Sequence, residues 1–498
     1  MSSAPGTDMS TTAAPVDSTG ATEAGRLPPG PPVRRAYLQQ VVHDTLNNLR
    51  AKLSLGWVVA LMVCACFAPL LASSHPYLIK AGGKWYSPML VHLSAADVAL
   101  PVAFVTGAVL VLTRRVTFGR GLGLIFWATA LVWLVGAWGA VEQALREAGM
   151  SQDAKGAVID EGLWAGFLKT WTASKFMFTL TLLALGLIVA YVVMAPIRLL
   201  PARATVITAC CLAPLLVLLI VFPLRPPENV RYEQYREWEA AGKVESVWRA
   251  PIPFSPTDRL NDRPQDRLKP PGGAHWAGTD DFNHDLLSRM IHGCRIALAI
   301  GFVAVSIEVI LGVFVGGLMG YFAGTIDLLA MRLIEILEAV PRLVLLITVT
   351  AAYGRNLYAM MAIIGLLGWT GNARFVRTEF LKLRKLDFVQ AAQAAGLPLR
   401  SVLFRHMLPN GITPVLVTAS FGVAAAILIE STLSFLGLGL VDEPSWGGML
   451  AQATRGGAGF NWWIATFPGL LIFLTVFAYN LIGESVRDAL DPKLLKRE

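Results

Sequence analysis

Runs of twenty or more residues without a charge constrain this chain most, because such a run must be buried in protein or in lipid. Residues 53–73 form one of them, long enough as a helix to cross a hydrocarbon core about 30 Å thick. Similar runs recur along the 498 residues. With 55% apolar and only 15% charged side chains, the chain lies far from soluble domains, in which about a quarter of residues are charged. In lipid, each backbone N–H and C=O must find its partner within the protein, so the fold class is all-α and the chain a polytopic membrane protein. The net charge of +8 does not point to nucleic acid as a partner. The basic residues gather at the ends of the apolar runs, where they set orientation and meet lipid headgroups.

In chain order, residues 1–45 read as a disordered cytoplasmic tail, rich in small residues and proline, with no apolar core of a secretory signal behind the start. Segment 46–76 carries the first transmembrane helix. Arg34, Arg35, Arg50 and Lys52 ahead of it place the N-terminus in the cytoplasm. Residues 77–223 read as an inserted block of about four spans, near 89–113 (with Asp97 inside it), 121–141, 176–196 and 204–223. Because four is even, the block leaves the orientation of everything downstream unchanged. Segment 224–294 is a long polar extracytoplasmic loop. Its Tyr232, Tyr235, Trp238 and Trp248 predict a short amphipathic helix that packs, and its Pro-rich 251–272 an extended strap. Five spans follow in 295–483, near 296–322, 333–352, 358–370, 412–435 and 462–483, for about ten in all, and 484–498 is a basic cytoplasmic tail.

One polar stretch among these spans, 372–410, has a distinctive design. Arg374, Arg377, Lys382, Arg384, Lys385, Arg400 and Arg405 face only Glu379 and Asp387 there, an excess that belongs on the cytoplasmic side. Within it, 388–395 predicts a short helix of small residues that Gly396 and Pro398 stop. Small side chains let another protein's backbone come close. The spacing of Gln390-Ala391-Ala392, then Gly396, then Leu408-Pro409 resembles the EAA loop of ABC importer permeases. Further stretches at 275–298, 320–341, 427–440 and 445–450 are similar to the C-type subunit of the dipeptide, oligopeptide and nickel permease family.

That resemblance implies a type I ABC importer-like permease core in a bacterial cytoplasmic (inner) membrane, with an extra N-terminal block of helices and both termini cytoplasmic. It implies as partners a second homologous permease subunit, two ATPase subunits and an extracytoplasmic solute-binding protein. Gln390, Ala391, Ala392, Gly396, Arg405, Leu408 and Pro409 would couple to the ATPases. Gly278, Thr279, Asp280, Asp285, Ser288 and Arg289 fall on an extracytoplasmic motif of the family, with Asn283 and His284 where the family usually carries Gly and Arg. Gln390 stands where the EAA loop has glutamate.

The chain itself has no phosphate-binding G-x-x-x-x-G-K-[ST] loop and no nucleophile and base constellation, so no catalytic residue or cofactor is expected in it. ATP and Mg would belong to the partner ATPases. Charges inside spans are costly, about 2.5–3.5 kcal/mol for Asp at a helix centre on the insertion scale, and tend to face the bundle or a water path. Glu308, Glu338 and Glu430 are therefore candidates for the translocation path, with an interhelical hydrogen bond the competing reading of Glu308. A cluster of His275, Asp280, Asp281, His284, Asp285 and His292 keeps nickel or a metal chelate open as an alternative cargo, although no resident metal is expected. Five cysteines, Cys64, Cys66, Cys210, Cys211 and Cys294, lack zinc spacing and read as small buried residues. The rival reading is an ion-gradient-driven transporter or channel with Glu308 and Glu430 as carriers.

Overall fold

The computed structural model describes residues 48–113, Ile125, Thr129, Val132, the paired strands Met150–Gln152 and Val158–Asp160, and 230–490 apart from 354, 412, 441, 442 and 456–459. Of the expected inserted spans, 121–141 is described only at three residues, and 176–196 and 204–223 lie outside the described residues. Five described helices are long and apolar enough to cross a membrane.

The first of them, α1 (Leu49–Cys66), begins at Asn48, whose side chain accepts from the Arg50 N–H at 3.1 Å. A short second turn, Ala68–Leu71, starts at the Pro69 kink. Next comes α2 (Ala95–Thr113), shorter than the expected 89–113 span because Pro88–His92 forms a separate turn before it. In the polar segment lies α3 (Gln234–Ala240). The core then runs α4 (Leu286–Phe322), α5 (Gly324–Ala339), α6 (Arg342–Tyr353), α7 (Leu357–Leu383), α8 (Asp387–Ala394), α9 (Thr413–Leu433), α10 (Trp446–Arg455) and α11 (Trp462–Leu490).

Two expected spans differ from the observed ones. The span 333–352 is not one helix: Pro341 has no N–H to give, and it drives Val340 to extended geometry (φ −89°, ψ 128°), so α5 and α6 are separate pieces meeting at a break. The span 358–370 instead continues to Leu383, through the first third of the stretch read as a loop. Asn372, Ala373, Val376, Phe380 and Leu383 recur at helical spacing and are buried, while Arg374 and Lys382 stay on the outer side. A cationic helix face therefore passed for a cationic loop.

The α4–α7 pair is the backbone of the bundle, and it is parallel. Ala304 and Ile307 meet Gly365, Glu308 meets Gly368, Asn372 meets Gly312, Ala373 and Val376 meet Gly316, and Phe380 meets Gly320. Glycines at every fourth position of α4 leave no side chain between the two backbones. A Cβ on Gly312 would fall 2.5 Å from the Asn372 Cβ, and one on Gly365 would fall 2.6 Å from the Ala304 carbonyl oxygen. Helix α9 crosses the pair in the opposite direction, with Val423 against Gly301 and the Thr418 hydroxyl donating to Asn372 Oδ1 at 2.7 Å. Helix α11 packs on α9 through Gly483 and Phe421, and on α1 through the Trp57 indole N–H, which donates to Thr475 at 3.3 Å.

At the end of the bundle where α4 begins, β1 (Leu78–Ala81) pairs antiparallel with both β2 (Lys84–Tyr86) and β3 (Ser246–Trp248). Residues 78–86 are thus knitted to the polar segment, and Asp97 on α2 pairs with Arg295 on α4. Helix α3 packs as expected: the Tyr235 ring lies 5.8 Å from that of His75 and 5.7 Å from that of Trp238, while Trp248 stays exposed. Burial, with the stacked His92 ring 3.7 Å away, pushes the His75 imidazole down to about 3 despite Asp258, so this ring is neutral at any physiological pH.

Because the α4–α7 approach has no spare room, Gly316→Val is expected to cost about 1–3 kcal/mol. It should lower the thermal midpoint of the detergent-solubilised protein by several degrees, read by size-exclusion after heating. Gly56→Val, at a site with nothing within 4 Å of an added Cβ, is the matched control and should behave as wild type.

Candidate functional site

Three groups of residues singled out in the sequence occupy three levels of the bundle. At the end where α7 stops, Arg384, Lys385 and Leu386 turn the chain into α8. Gly396 has φ +71°, and the N–H groups of Leu397 and Gly396 reach back to the carbonyls of Ala392 (3.2 Å) and Gln393 (2.9 Å). This is a Schellman stop, which needs glycine at that position. Val389 and Ala392 bury against Val402, Leu403 and Met407, whereas Gln390 and Ala391 face outward. The Gln390 amide N–H donates to the Lys385 carbonyl at 3.3 Å. Residues Val402–Met407 form a π turn, in which Arg405 is exposed, and Leu408–Gly411 follows as one helical turn. Pro409 has no N–H for the Arg405 carbonyl, so an α-helical bond is missing where the turn widens. The exposed Gln390, Ala391, Gln393 and Ala394 of α8 thus make a neutral, mostly small surface, with Asp387 and Phe388 exposed at its start.

At the membrane level, the break between α5 and α6 opens a cavity of about 340 Å³ lined by Glu308, Glu338, Pro341, Arg342, Gly368 and Trp369 among others. Glu338 at its edge is paired with Arg374. Glu308 and Glu338 thus share one cavity. Glu430 does not line it: it is 1% exposed and accepts from the Ser434 hydroxyl at 2.7 Å and from Ser431 at 3.4 Å. Arg342, which sequence reading passed over, is the other charged group in that cavity. The Pro341-Arg342 step interrupting an apolar run was its one local signal.

At the opposite end, Gly278, Thr279, Asp280, Asp285, Ser288 and Arg289 form a buried clamp. Gly278 (φ +81°) passes so close to Lys269 that a Cβ would lie 2.7 Å from its carbonyl oxygen. Trp463 donates to the Thr279 carbonyl at 3.1 Å. Asp285 caps α4, accepting from Ser288 N at 2.8 Å, and its second oxygen meets His275 Nδ1 at 2.8 Å. Asp280 accepts from His284 N at 2.7 Å and lies 3.0 Å from His284 Nδ1, while Arg289 pairs with it from α4. With its amide nitrogen turned to Asp280, Gln452 donates at 3.2 Å and accepts from Arg289 at 3.2 Å. His284, where the family usually has Arg, therefore still serves Asp280. The histidines do not converge: His275 serves Asp285, His284 serves Asp280 and His292 Nδ1 faces the Ser288 carbonyl at 3.0 Å. Among the described residues no group of three or more His, Cys, Asp or Glu side chains could hold a metal ion.

Residues 312–496 match the model of the family described as "Binding-protein-dependent transport system inner membrane component". The dipeptide transport system permease protein DppC of Alkalihalophilus pseudofirmus is 38% identical over 232 residues, 46% of this chain and 76% of that protein. This chain is a binding-protein-dependent transport permease. The oligopeptide permease OppC of Haemophilus influenzae is 40% identical over 44% of this permease and 71% of its own length. The glutathione permease GsiD of Pectobacterium atrosepticum is 38% identical over 48% and 80% respectively.

Asp280 is the hinge of the clamp. Burial alone would raise its carboxyl, but the hydrogen bond from His284 and the Arg289 charge outweigh burial and hold it below the usual carboxylate range. A depressed carboxyl contributes stability that is complete above the unfolded value of about 3.9 and is lost only as pH falls through the lower folded value. Asp280→Asn, which strands Arg289, should cost about 3–5 kcal/mol at neutral pH. Thermal midpoints measured between pH 3 and pH 8 should show the gap between mutant and wild type closing at the acid end.

Proposed function

We propose that this permease is a membrane-spanning subunit of a peptide importer, working with a homologous permease, two ATPases and an extracytoplasmic solute-binding protein. The observation that carries this reading is α8: an exposed Gln390-Ala391 face ended by a left-handed glycine, on the cationic side of a core whose sequence relatives transport dipeptides, oligopeptides and glutathione. Small residues on that face suit insertion into a groove of an ATPase, and the α4–α7 seam is stiff enough to carry a displacement of α8 into the membrane. ATP-driven approach of the two ATPases would then rock the core helices and open the path outward.

Orientation follows from the charges, with α8 and both termini in the cytoplasm of a bacterial inner membrane and the Asp280 clamp outside. Gln390 meets its ATPase with a neutral carbonyl, its N–H groups being partly used by Lys385, so the opposing groove should offer a neutral donor in place of an unpaired arginine. An ion-gradient carrier built on Glu308 and Glu430 has less support, because Glu430 is sealed by two serines and lies outside the cavity that holds Glu308.

Purification of the assembled complex with its binding protein, followed by mass spectrometry of the retained solute, tests the function. Peptides should be recovered, and co-purification without any ATPase would sink the reading. The coupling role is tested at Gly396. No atom of the described residues lies within 4 Å of an added Cβ there, so Gly396→Asp adds within them only left-handed strain, about 1–2 kcal/mol. The variant should insert normally yet lose coupled uptake roughly tenfold or more, as expected when about 1.4 kcal/mol of docking is removed. Wild-type uptake and ATPase stimulation in this variant would show that α8 is not the coupling element.

A further inference from the structure

The cavity at the α5–α6 break holds an acid and a guanidinium that act on each other electrostatically without a direct ion pair. Glu308 reaches it from α4, its carboxylate lying over Gly368, where a Cβ would fall 2.7 Å from Glu308 Cδ. It also lies beside Gly422 of α9, where a Cβ would be 3.8 Å from Glu308 Oε2. Arg342 reaches the same glycine from the first turn of α6, with Nη2 2.6 Å from where that Cβ would be. No ion pair joins Glu308 and Arg342 among the described residues. The hydrogen bond seen for Arg342 is a 3.5 Å donation to the Ile364 carbonyl, at the limit of such a bond. Glu338, the other acid of the cavity, is engaged by Arg374.

A carboxylate and a guanidinium at this depth are expensive unless something pairs with them. Both reach within 2.8 Å of one point over Gly368 without a direct ion pair, and both face the same space. That space of about 340 Å³ falls within the usual range of small-molecule sites, about 300–1,000 Å³. Leu337, Leu345, Leu366 and Trp369 give it apolar walls. The complement of such a site is a small zwitterion with an apolar middle.

We propose that Glu308 and Arg342 form a station in the translocation path for a short peptide with free termini, Glu308 receiving the ammonium group and Arg342 the carboxylate. The proposal rests on the peptide-importer reading and adds to it the residues that hold the cargo inside the membrane. Gly368 is the floor that allows both charged groups to reach the same cargo. The sealed Glu430 has no part in it.

The test is equilibrium dialysis of the assembled permease–ATPase complex, without binding protein, against a pool of di- to pentapeptides. Parallel samples receive the same pool N-acetylated or C-amidated, and bound peptide is quantified by mass spectrometry. Wild type should retain the free-termini pool about tenfold or more over either blocked pool, the worth of one charge-assisted bond. Glu308→Gln, which keeps the volume, should lower retention of the free pool to that of the acetylated one, and Arg342→Gln should do the same relative to the amidated one. Equal retention of free and blocked pools by wild type, or no retention at all, overturns the station without needing any variant. Uptake of the free pool by proteoliposomes with the binding protein separates the two failures: uptake without retention sinks the station alone, and no peptide uptake sinks the importer reading beneath it.

Discussion

The contact between α4 and α7 is the constraint on which the rest of this permease depends. Two long helices run in the same direction with Gly312, Gly316 and Gly320 against Asn372, Ala373 and Phe380. In lipid there is no hydrophobic drive to bring two apolar helices together, so close backbone approach and the dispersion contacts it allows must supply the association. Once these two are fixed side by side, α9 has one groove to cross, pinned by Val423 at Gly301 and Thr418 at Asn372. Helices α11 and α1 then close the bundle behind it. The same seam links the two functional ends, since α4 begins in the Asp280 clamp and α7 ends at the turn into α8.

Burial of charge is handled in three different ways at the three levels. In the clamp, Asp280 and Asp285 are fully buried but satisfied by backbone N–H groups, histidines and Arg289. Within the bundle, Glu430 is also fully buried and is satisfied by serine hydroxyls one and four residues on. At the Pro341 break an acid and a guanidinium are instead left facing a cavity within the bundle. Satisfied groups stabilise an architecture, whereas an acid and a base facing a shared space are available to a solute.

The segment that follows α1 is tied closely to the rest of the described permease. Its first strands complete a sheet with 246–248, and Asp97 reaches Arg295 on α4. The relatives match 44–48% of this chain.

The sequence alone determined the membrane class, the presence of the long core spans and the small helix ending at Gly396. Those signals are local: an uncharged run long enough for a bilayer, a glycine that can take positive φ, a proline that cannot donate. It misjudged 333–352 and 372–383, where an apolar count outweighed Pro341 and a helix with one cationic face read as a loop. What only the tertiary structure decided is which of three membrane-level glutamates faces an open space. Glu308, Glu338 and Glu430 look alike in a linear reading, yet two share a cavity and one is sealed by serines. That difference, and the meeting of Glu308 with Arg342 over Gly368, comes from helices distant in sequence being brought into register by a glycine seam, and no local pattern encodes the neighbours that such a register creates.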